Sequence, residues 1–314
     1  VVIAGPNLTT DRTGRLAELR PGDVVRFDEA TVMAGGKGVN VARVALALGA
    51  PAVLVGLLPG HTGAAAAAML ADEGIELRGV AVGGELRAAT VVLERSGRVT
   101  VLNEPGPPLA DGDWERYEAA VGAALDGARV LACSGSLPPG APPDAYARLV
   151  ARGREHGALV LVDAAGGQLA AALAVAPDVV TPNLAEAEGL LHGRADEAVE
   201  AGEPADARAR AEQAARELVA RGARHAAVTA GAAGVALAGA GGPAWVPAPA
   251  VAVRNPIGAG DSLVGGLGVA LERGRPLAEA VRFGVACAAA SVETHTAGAI
   301  DPARARALEA QARA

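Results

Sequence analysis

The chain has 314 residues, enough for one large domain or two and for a substantial buried core. Aromatic residues make up only 2%, so that core has to be built from Ala, Val and Leu. A formal net charge of −7 argues against a general nucleic-acid binder, and an anionic ligand would need positive charge concentrated locally.

Residues 1–4 predict a short apolar strand that ends at Gly5-Pro6. Residues 7–28 are polar and irregular, with Asp11 and Arg12 just past the first strand. Residues 33–38 form a glycine-rich turn, and apolar residues at helical spacing follow over 39–48 and stop at Gly49. A buried strand is predicted over 53–58 and a helix over 64–70. Residues 90–94 and 99–103 are β-rich runs around Ser96-Gly97, a hairpin signal, with Arg87 at its entrance. This hairpin interrupts the alternation of strand and helix. It is expected to join residues 7–28 in a small sheet added to the main body.

From there the rhythm is regular, with strands predicted over 130–133, 159–162, 179–180 and 226–228 and helical stretches between them. Such alternation implies a parallel sheet covered on both faces. Ser134, Asp163, Asn183 and Thr229 stand just after these strands. Ligands of open α/β sheets bind at those carboxyl ends, so several strand ends point to one crevice. Residues 196–210 suggest a solvated loop leading into a helix over 211–221. The apolar region 234–253 is broken by Gly and Pro, which argues against a membrane span. Gly258-Ala259-Gly260 then makes a tight turn before Asp261 and an apolar helix over 263–271. The free N–H groups of that helix start suit a phosphate, and small residues let it approach closely. A carboxylate fixed beside an anion cradle is what phosphoryl transfer to a hydroxyl needs.

Lys37 is the only lysine in a chain whose Lys and Arg total 28. Cys133 and Cys287, the only cysteines, lie in apolar runs and are expected to be buried thiols in a reducing, cytoplasmic setting. No secretory signal is visible. The five His residues lack metal spacing, and the Walker A, Gly-x-Gly-x-x-Gly and Gly-x-Ser-x-Gly patterns are not met. Each candidate has a plainer reading. Asp261, or Asn183 with Glu186, could cap a helix, Asp11 could belong to a turn, and Lys37 and Arg87 could be solvated surface charges.

The segments Ala34-Gly35-Gly36-Lys37-Gly38-Val39-Asn40-Val41-Ala42-Arg43, Ser134-Gly135-Ser136-Leu137-Pro138, Pro182-Asn183 with Glu186, and Gly258-Ala259-Gly260-Asp261 occur in a telling order. In that order and spacing the chain resembles the PfkB, or ribokinase-like, family of carbohydrate kinases over about residues 1–298. It is most similar to the branch of 1-phosphofructokinases, tagatose-6-phosphate kinases and minor 6-phosphofructokinases. Residues 7–13 and 100–107 resemble that branch's N-terminal and Thr-x-Ile-Asn-x-x-Gly-Pro motifs.

The resemblance implies a three-layer α/β/α domain over 1–314, with a β lid inserted from about 7–30 and 85–108. It implies ATP with Mg²⁺ as cofactors and phosphorylation of a sugar phosphate hydroxyl to a bisphosphate. The acceptors implied are fructose 1-phosphate, fructose 6-phosphate and tagatose 6-phosphate. Asp261 would be the general base, with the N–H groups of Gly258, Ala259 and Gly260 as the anion hole. Asp11, Gly35, Gly36, Lys37, Asn40, Arg87 and Ser136 would bind the sugar phosphate, Arg87 taking its phosphate. Asn183 and Glu186 would organise the metal through water, and Thr229, Gly231 and Gly234 would lie beside the nucleotide, with residues 286–298 as a wall near adenine.

Three positions depart from the branch: Thr181 stands for the usual Lys, Leu86 for the usual Thr, and Asp163-Ala164-Ala165-Gly166 lacks the usual hydroxyls. The alternatives are a kinase for an unphosphorylated sugar or a nucleoside, and a non-catalytic binding regulator of the same fold. The expected partners are small molecules, with no nucleic acid or membrane. An apolar face left on the small sheet would favour a homodimer through the lid.

Overall fold

The structure is a computed structural model and describes residues 1–193 and 204–311. Its main body is a nine-stranded sheet. In spatial order the strands are β13 (Ala244–Pro247), β12 (Gly234–Gly239), β11 (His225–Thr229), β10 (Val179–Val180), β9 (Leu159–Asp163), β8 (Val130–Ser134), β1 (Val2–Ala4), β4 (Val53–Pro59) and β5 (Glu76–Val82). Pairings from β11 through to β5 are parallel, while β11–β12 and β12–β13 are antiparallel.

Alternating side chains of each strand enter two different cores. Val1 and Ile3 join one cluster, with residues of α1 (Lys37–Ala47), α2 (Gly60–Asp72), α8 (Ala259–Glu272), α9 (Leu277–Val292) and α10 (Pro302–Gln311). Val2 and Ala4 join the other, with α3 (Asp113–Ala124), α4 (Ala145–Glu155), α5 (Gly166–Leu173), α6 (Leu184–His192) and α7 (Pro204–Ala220). These clusters fill the two helix–sheet interfaces of a three-layer α/β/α body. Among the described residues, no helix is long and apolar enough to cross a membrane.

A second sheet has four strands in the order β3 (Glu29–Gly35), β2 (Thr9–Leu16), β6 (Ala88–Glu94) and β7 (Val99–Asn103). The hairpin turns at Ser96-Gly97, as its sequence predicts, with Gly97 at φ +88°. Residues 7–28 join this sheet as expected, through β2 paired with β6, whereas β3, which leads directly into the glycine-rich turn, is not foreseen. Neither β2 nor β3 shows an apolar alternation: this sheet buries Leu16, Ala34, Ala89 and Val92 but leaves Val32, Val99, Val101 and Leu102 exposed.

Three other expectations need correction. Strands β5, β12 and β13 are not foreseen, since glycines and prolines interrupt their sequences. The 64–70 helix extends over Gly60–Asp72. Helix α7 starts at Pro204, so residues 204–210 are helical and not a loop. The mixed charges there are helix-face pairs, Arg208 with Glu212 and Arg210 with Asp206, each four residues apart. Residues 196–203 of the expected loop lie outside the described residues.

One close contact seats the site on this body. A Cβ on Gly38, at the start of α1, would stand 2.7 Å from the Cα of Gly5, just past β1. The helix therefore touches the chain at the end of β1 backbone to backbone, and Lys37 is delivered to that strand end. Gly38→Ala is expected to destabilise the protein by about 1–3 kcal/mol, through overpacking against backbone that cannot retreat. Urea unfolding measures the loss.

Candidate active site

Helix α8 begins at Gly258, whose φ of +83° is left-handed and suits glycine. Asp261 occupies the first turn, 6% exposed, and caps nothing. The Nδ2 group of Asn40 donates to its Oδ2 at 2.7 Å, a contact made from α1 across 221 positions of sequence. The N–H groups that open α8 lack intrahelical acceptors and face out of the helix start. That of Ala259 makes a long 3.4 Å bond to the Pro256 carbonyl.

The strand ends converge as expected. Lys37 Nζ donates to Asp163 Oδ2 at 3.2 Å, and Ser134 Oγ donates to the same oxygen at 3.2 Å. Glu186 Oε1 lies 3.8 Å from Lys37 Nζ. Asn183 caps α6 in a reciprocal box with Glu186, so the plainer reading of this pair holds in the geometry: Glu186 N–H donates to Asn183 Oδ1 at 2.7 Å, and Asn183 N–H to Glu186 Oε2 at 3.0 Å. The cap leaves Glu186 turned toward Lys37, so it does not remove the carboxylate from the crevice. Thr229 pairs with Asn183 in an isolated bridge. Gly231 opens a short 3₁₀ turn farther along, and Gly234, which follows it, runs against the backbone of β13.

Asp11 on β2 lies against Gly35, leaving no room there for a Cβ. Arg87 reaches the Asn7 carbonyl at 3.4 Å through Nη2, and its Nε is buried without a partner. Ser136 is held by Asn7, whose Nδ2 donates to Ser136 Oγ at 2.9 Å. Gly36 is the residue before α1, at φ +106°. The wall formed by 286–298 meets the turn directly. A Cβ on Gly258 would stand 3.1 Å from that of Ala297, and Asn255 Nδ2 donates to the His295 carbonyl at 3.1 Å. A cleft of about 530 Å³ opens beside Lys37, Ser136, Gln168 and Glu186.

Burial pushes the Asp261 carboxyl up to about 7, and the nearby charges of Asp163 and Glu186 push the same way, against Asn40 and Lys37. Asp163, followed by Glu186 and Asp261, holds the Lys37 ammonium above its ordinary range despite desolvation. Burial raises the Asp11 carboxyl, while Arg43 and Arg87 oppose it. Burial lowers Arg87, opposed by Asp11.

Three carboxylates thus surround one ammonium. The excess negative charge suits a divalent cation carried on a nucleotide, and the unpartnered Arg87 Nε and the open end of α8 suit anionic oxygens. Among the described residues, no group of three or more His, Cys, Asp or Glu could hold a metal.

Sequence reasoning places Ser134 and Asp163 at strand ends and Arg43 at the end of the glycine-lysine motif without giving any of the three a role. The strand-end position was the available signal for the first two. Arg43 sits in the helix at a spacing that resembles an ordinary buried face.

The pfkB family carbohydrate kinase profile matches residues 7–304. A 1-phosphofructokinase of Rhodobacter capsulatus is 34% identical over 284 residues, which is 90% of this chain and 83% of that protein. The 1-phosphofructokinase of Escherichia coli strain K12 is 30% identical over 295 residues, 94% and 91% of the two chains. Among solved structures, the tetrameric inhibited form of phosphofructokinase-2 from E. coli matches at a TM-score of 0.87 and 28% identity, covering 100% of this chain and 99% of that one. With the match running almost end to end, over a fold that gathers Lys37, Asp163 and Asp261 at one crevice, the chain belongs to the pfkB family of carbohydrate kinases.

Proposed function

We propose that the protein is an ATP-dependent sugar phosphate kinase that uses Mg²⁺, with Asp261 as general base. The observation that carries this reading is a buried carboxylate in the first turn of α8, hydrogen-bonded by Asn40 and facing the same crevice as Lys37 and Asp163. Bound ATP with its magnesium supplies the phosphoryl group and countercharge for the surrounding carboxylates.

The chain's own residues do the rest. Asp11 binds sugar hydroxyls, with the backbone of Gly35 and Gly36 at its side. Asp261 takes the proton from the attacking hydroxyl through its free oxygen. The N–H groups of Gly258 to Gly260 hold the migrating group, which needs positioning and charge stabilisation above all. Lys37 and Asn40 fix the acceptor beside the base. Arg87 and Ser136 take the phosphate already on the sugar. Asn183 and Glu186 order water around the metal, and Thr229, Gly231 and Gly234 border the nucleotide.

Two relatives named 1-phosphofructokinase favour fructose 1-phosphate over fructose 6-phosphate and tagatose 6-phosphate as acceptor. We further propose that the small sheet is a lid that shields the phosphates from water, and that two lids pair in a homodimer. The exposed Val32, Val99, Val101 and Leu102 support that pairing. Two unpaired buried thiols fit a cytoplasmic location.

Asp261→Asn tests the base. Turnover across a panel of sugar phosphates is expected to fall by about 10²–10⁴-fold while nucleotide binding survives. The wild-type rate should climb as pH rises through about 7, since the base works deprotonated. Stability should respond in the opposite sense. With its folded pKa raised, Asp261 contributes proton-linked stability that is complete below about pH 4 and lost as pH rises through about 7. Asp261→Asn is therefore expected to stabilise the ligand-free protein at pH 8, measured by urea unfolding. Arg87→Ala is expected to raise KM for the sugar phosphate by about tenfold or more with kcat nearly kept, and to erase the preference over plain sugars. Val101→Asp should convert a dimer to a monomer in sedimentation at micromolar concentration, and a monomeric wild type would refute lid pairing.

A further inference from the structure

Arg43 touches none of the reacting groups above and acts on Asp11 only through its charge, yet it is 9% exposed and its guanidinium joins three elements. Nε and Nη2 donate to the two carboxylate oxygens of Glu73 at 2.6 and 2.7 Å. Nη2 also donates to the Ala34 carbonyl at 2.7 Å. Nη1 donates to Asn40 Oδ1 at 3.3 Å. Glu73 is the residue that ends α2, and Ala34 lies near the end of β3.

The chain of contacts matters because an amide has two ends of nearly equal shape. Only Nδ2 of Asn40 can donate to Asp261. Turned over, the amide would set Oδ1 against a carboxylate oxygen, and the bond would become a repulsion. The group at the far end of Asn40 decides between these states. Arg43 has donors only, so it accepts Asn40 with Oδ1 toward itself and Nδ2 toward Asp261. A lysine could not span Glu73, Ala34 and Asn40 from one point charge. Lys37, Asp163 and Glu186 act on Asp261 through their charges, and none of them governs the amide.

We propose that Arg43, braced by Glu73, is a positioning residue for the base: it locks the Asn40 amide in the orientation that holds Asp261. The Ala34 bond ties the same guanidinium to β3, so the orientation of the base is linked to the strand that carries the small sheet. This inference rests on the reading of Asp261 as general base.

A double-mutant cycle on the full chain tests it, with Arg43→Gln, Asn40→Ala and the pair assayed at saturating ATP. Arg43→Gln should lower kcat by about tenfold or more, with KM for ATP changed less than about twofold. Asn40→Ala should lower kcat at least as far, and the pair should be no slower than Asn40→Ala alone within about twofold. A merely structural role predicts that the two losses multiply, and that result overturns the proposal. Wild-type kcat in folded Arg43→Gln overturns it equally. Should Arg43→Gln not fold, Glu73→Gln loosens the guanidinium from its partly exposed end and decides by the same cycle with Asn40→Ala. Asp261→Asn in the same assay separates the two readings. Retained turnover there removes the base itself, whereas lost turnover with a multiplicative cycle removes only the role of Arg43.

Discussion

The contact between Asn40 and Asp261 is the constraint on which the site depends. It joins the first turns of α1 and α8, and both helices open on a glycine at positive φ with no side-chain cap. Their N-termini therefore face one crevice with unused N–H groups, and their dipoles add positive potential there. Into that potential the fold places Asp163, Glu186 and Asp261, with Lys37 as the ammonium among them. Neither part is comfortable alone. The carboxylates repel one another, and the helix ends lack acceptors. Substrates that bring both a cation and anionic oxygens relieve both at once.

This imbalance was legible in the sequence only in pieces. The glycine turns before 37 and 261 and the polar residues at the carboxyl ends of β8, β9, β10 and β11 predict one crevice, because a parallel sheet sends all its strand ends to one side. What the sequence could not give was pairing across distance. Nothing local relates position 40 to 261, or 163 to 37. Asp163 stands beside two alanines and a glycine in a loop without hydroxyls, and nothing local marks its carboxylate as the partner of Lys37. Arg43 looks like one arginine among many, and only its burial beside Glu73 and Asn40 distinguishes it.

The small sheet was expected, but its strands β2 and β3 carry no strand pattern of their own, for a different reason. Strand pattern is legible where a core selects every second residue, and β2 and β3 have little core to select for. The hairpin was found through Ser96-Gly97, a turn signal that works locally and needs no core. Helix α7 failed in the converse way. Its first turns carry charges that look solvated, and they are, yet their four-residue spacing is a helix pattern that tolerates full exposure.

A core almost free of aromatics could be expected to hold such a site loosely, and the packing of α8 argues otherwise. Gly265 and Gly266 lie in the helix that carries Asp261, where glycine costs roughly 1 kcal/mol per residue against alanine. A Cβ on Gly265 would stand 2.7 Å from the Cβ of Val44 in α1, and one on Gly266 would stand 2.6 Å from Cys287 Sγ in α9. A Cβ on Gly284 would meet the Leu263 carbonyl at 2.8 Å. These glycines give up helix propensity and in exchange let three helices approach at backbone distance. On α1 the Gly265 position faces the Val44 Cβ, which no rotamer moves, and the Val41 carbonyl at 3.1 Å, so α8 cannot slide against α1 without a clash. The 2.7 Å bond between Asn40 and Asp261 therefore spans two helices that these small residues hold in close register.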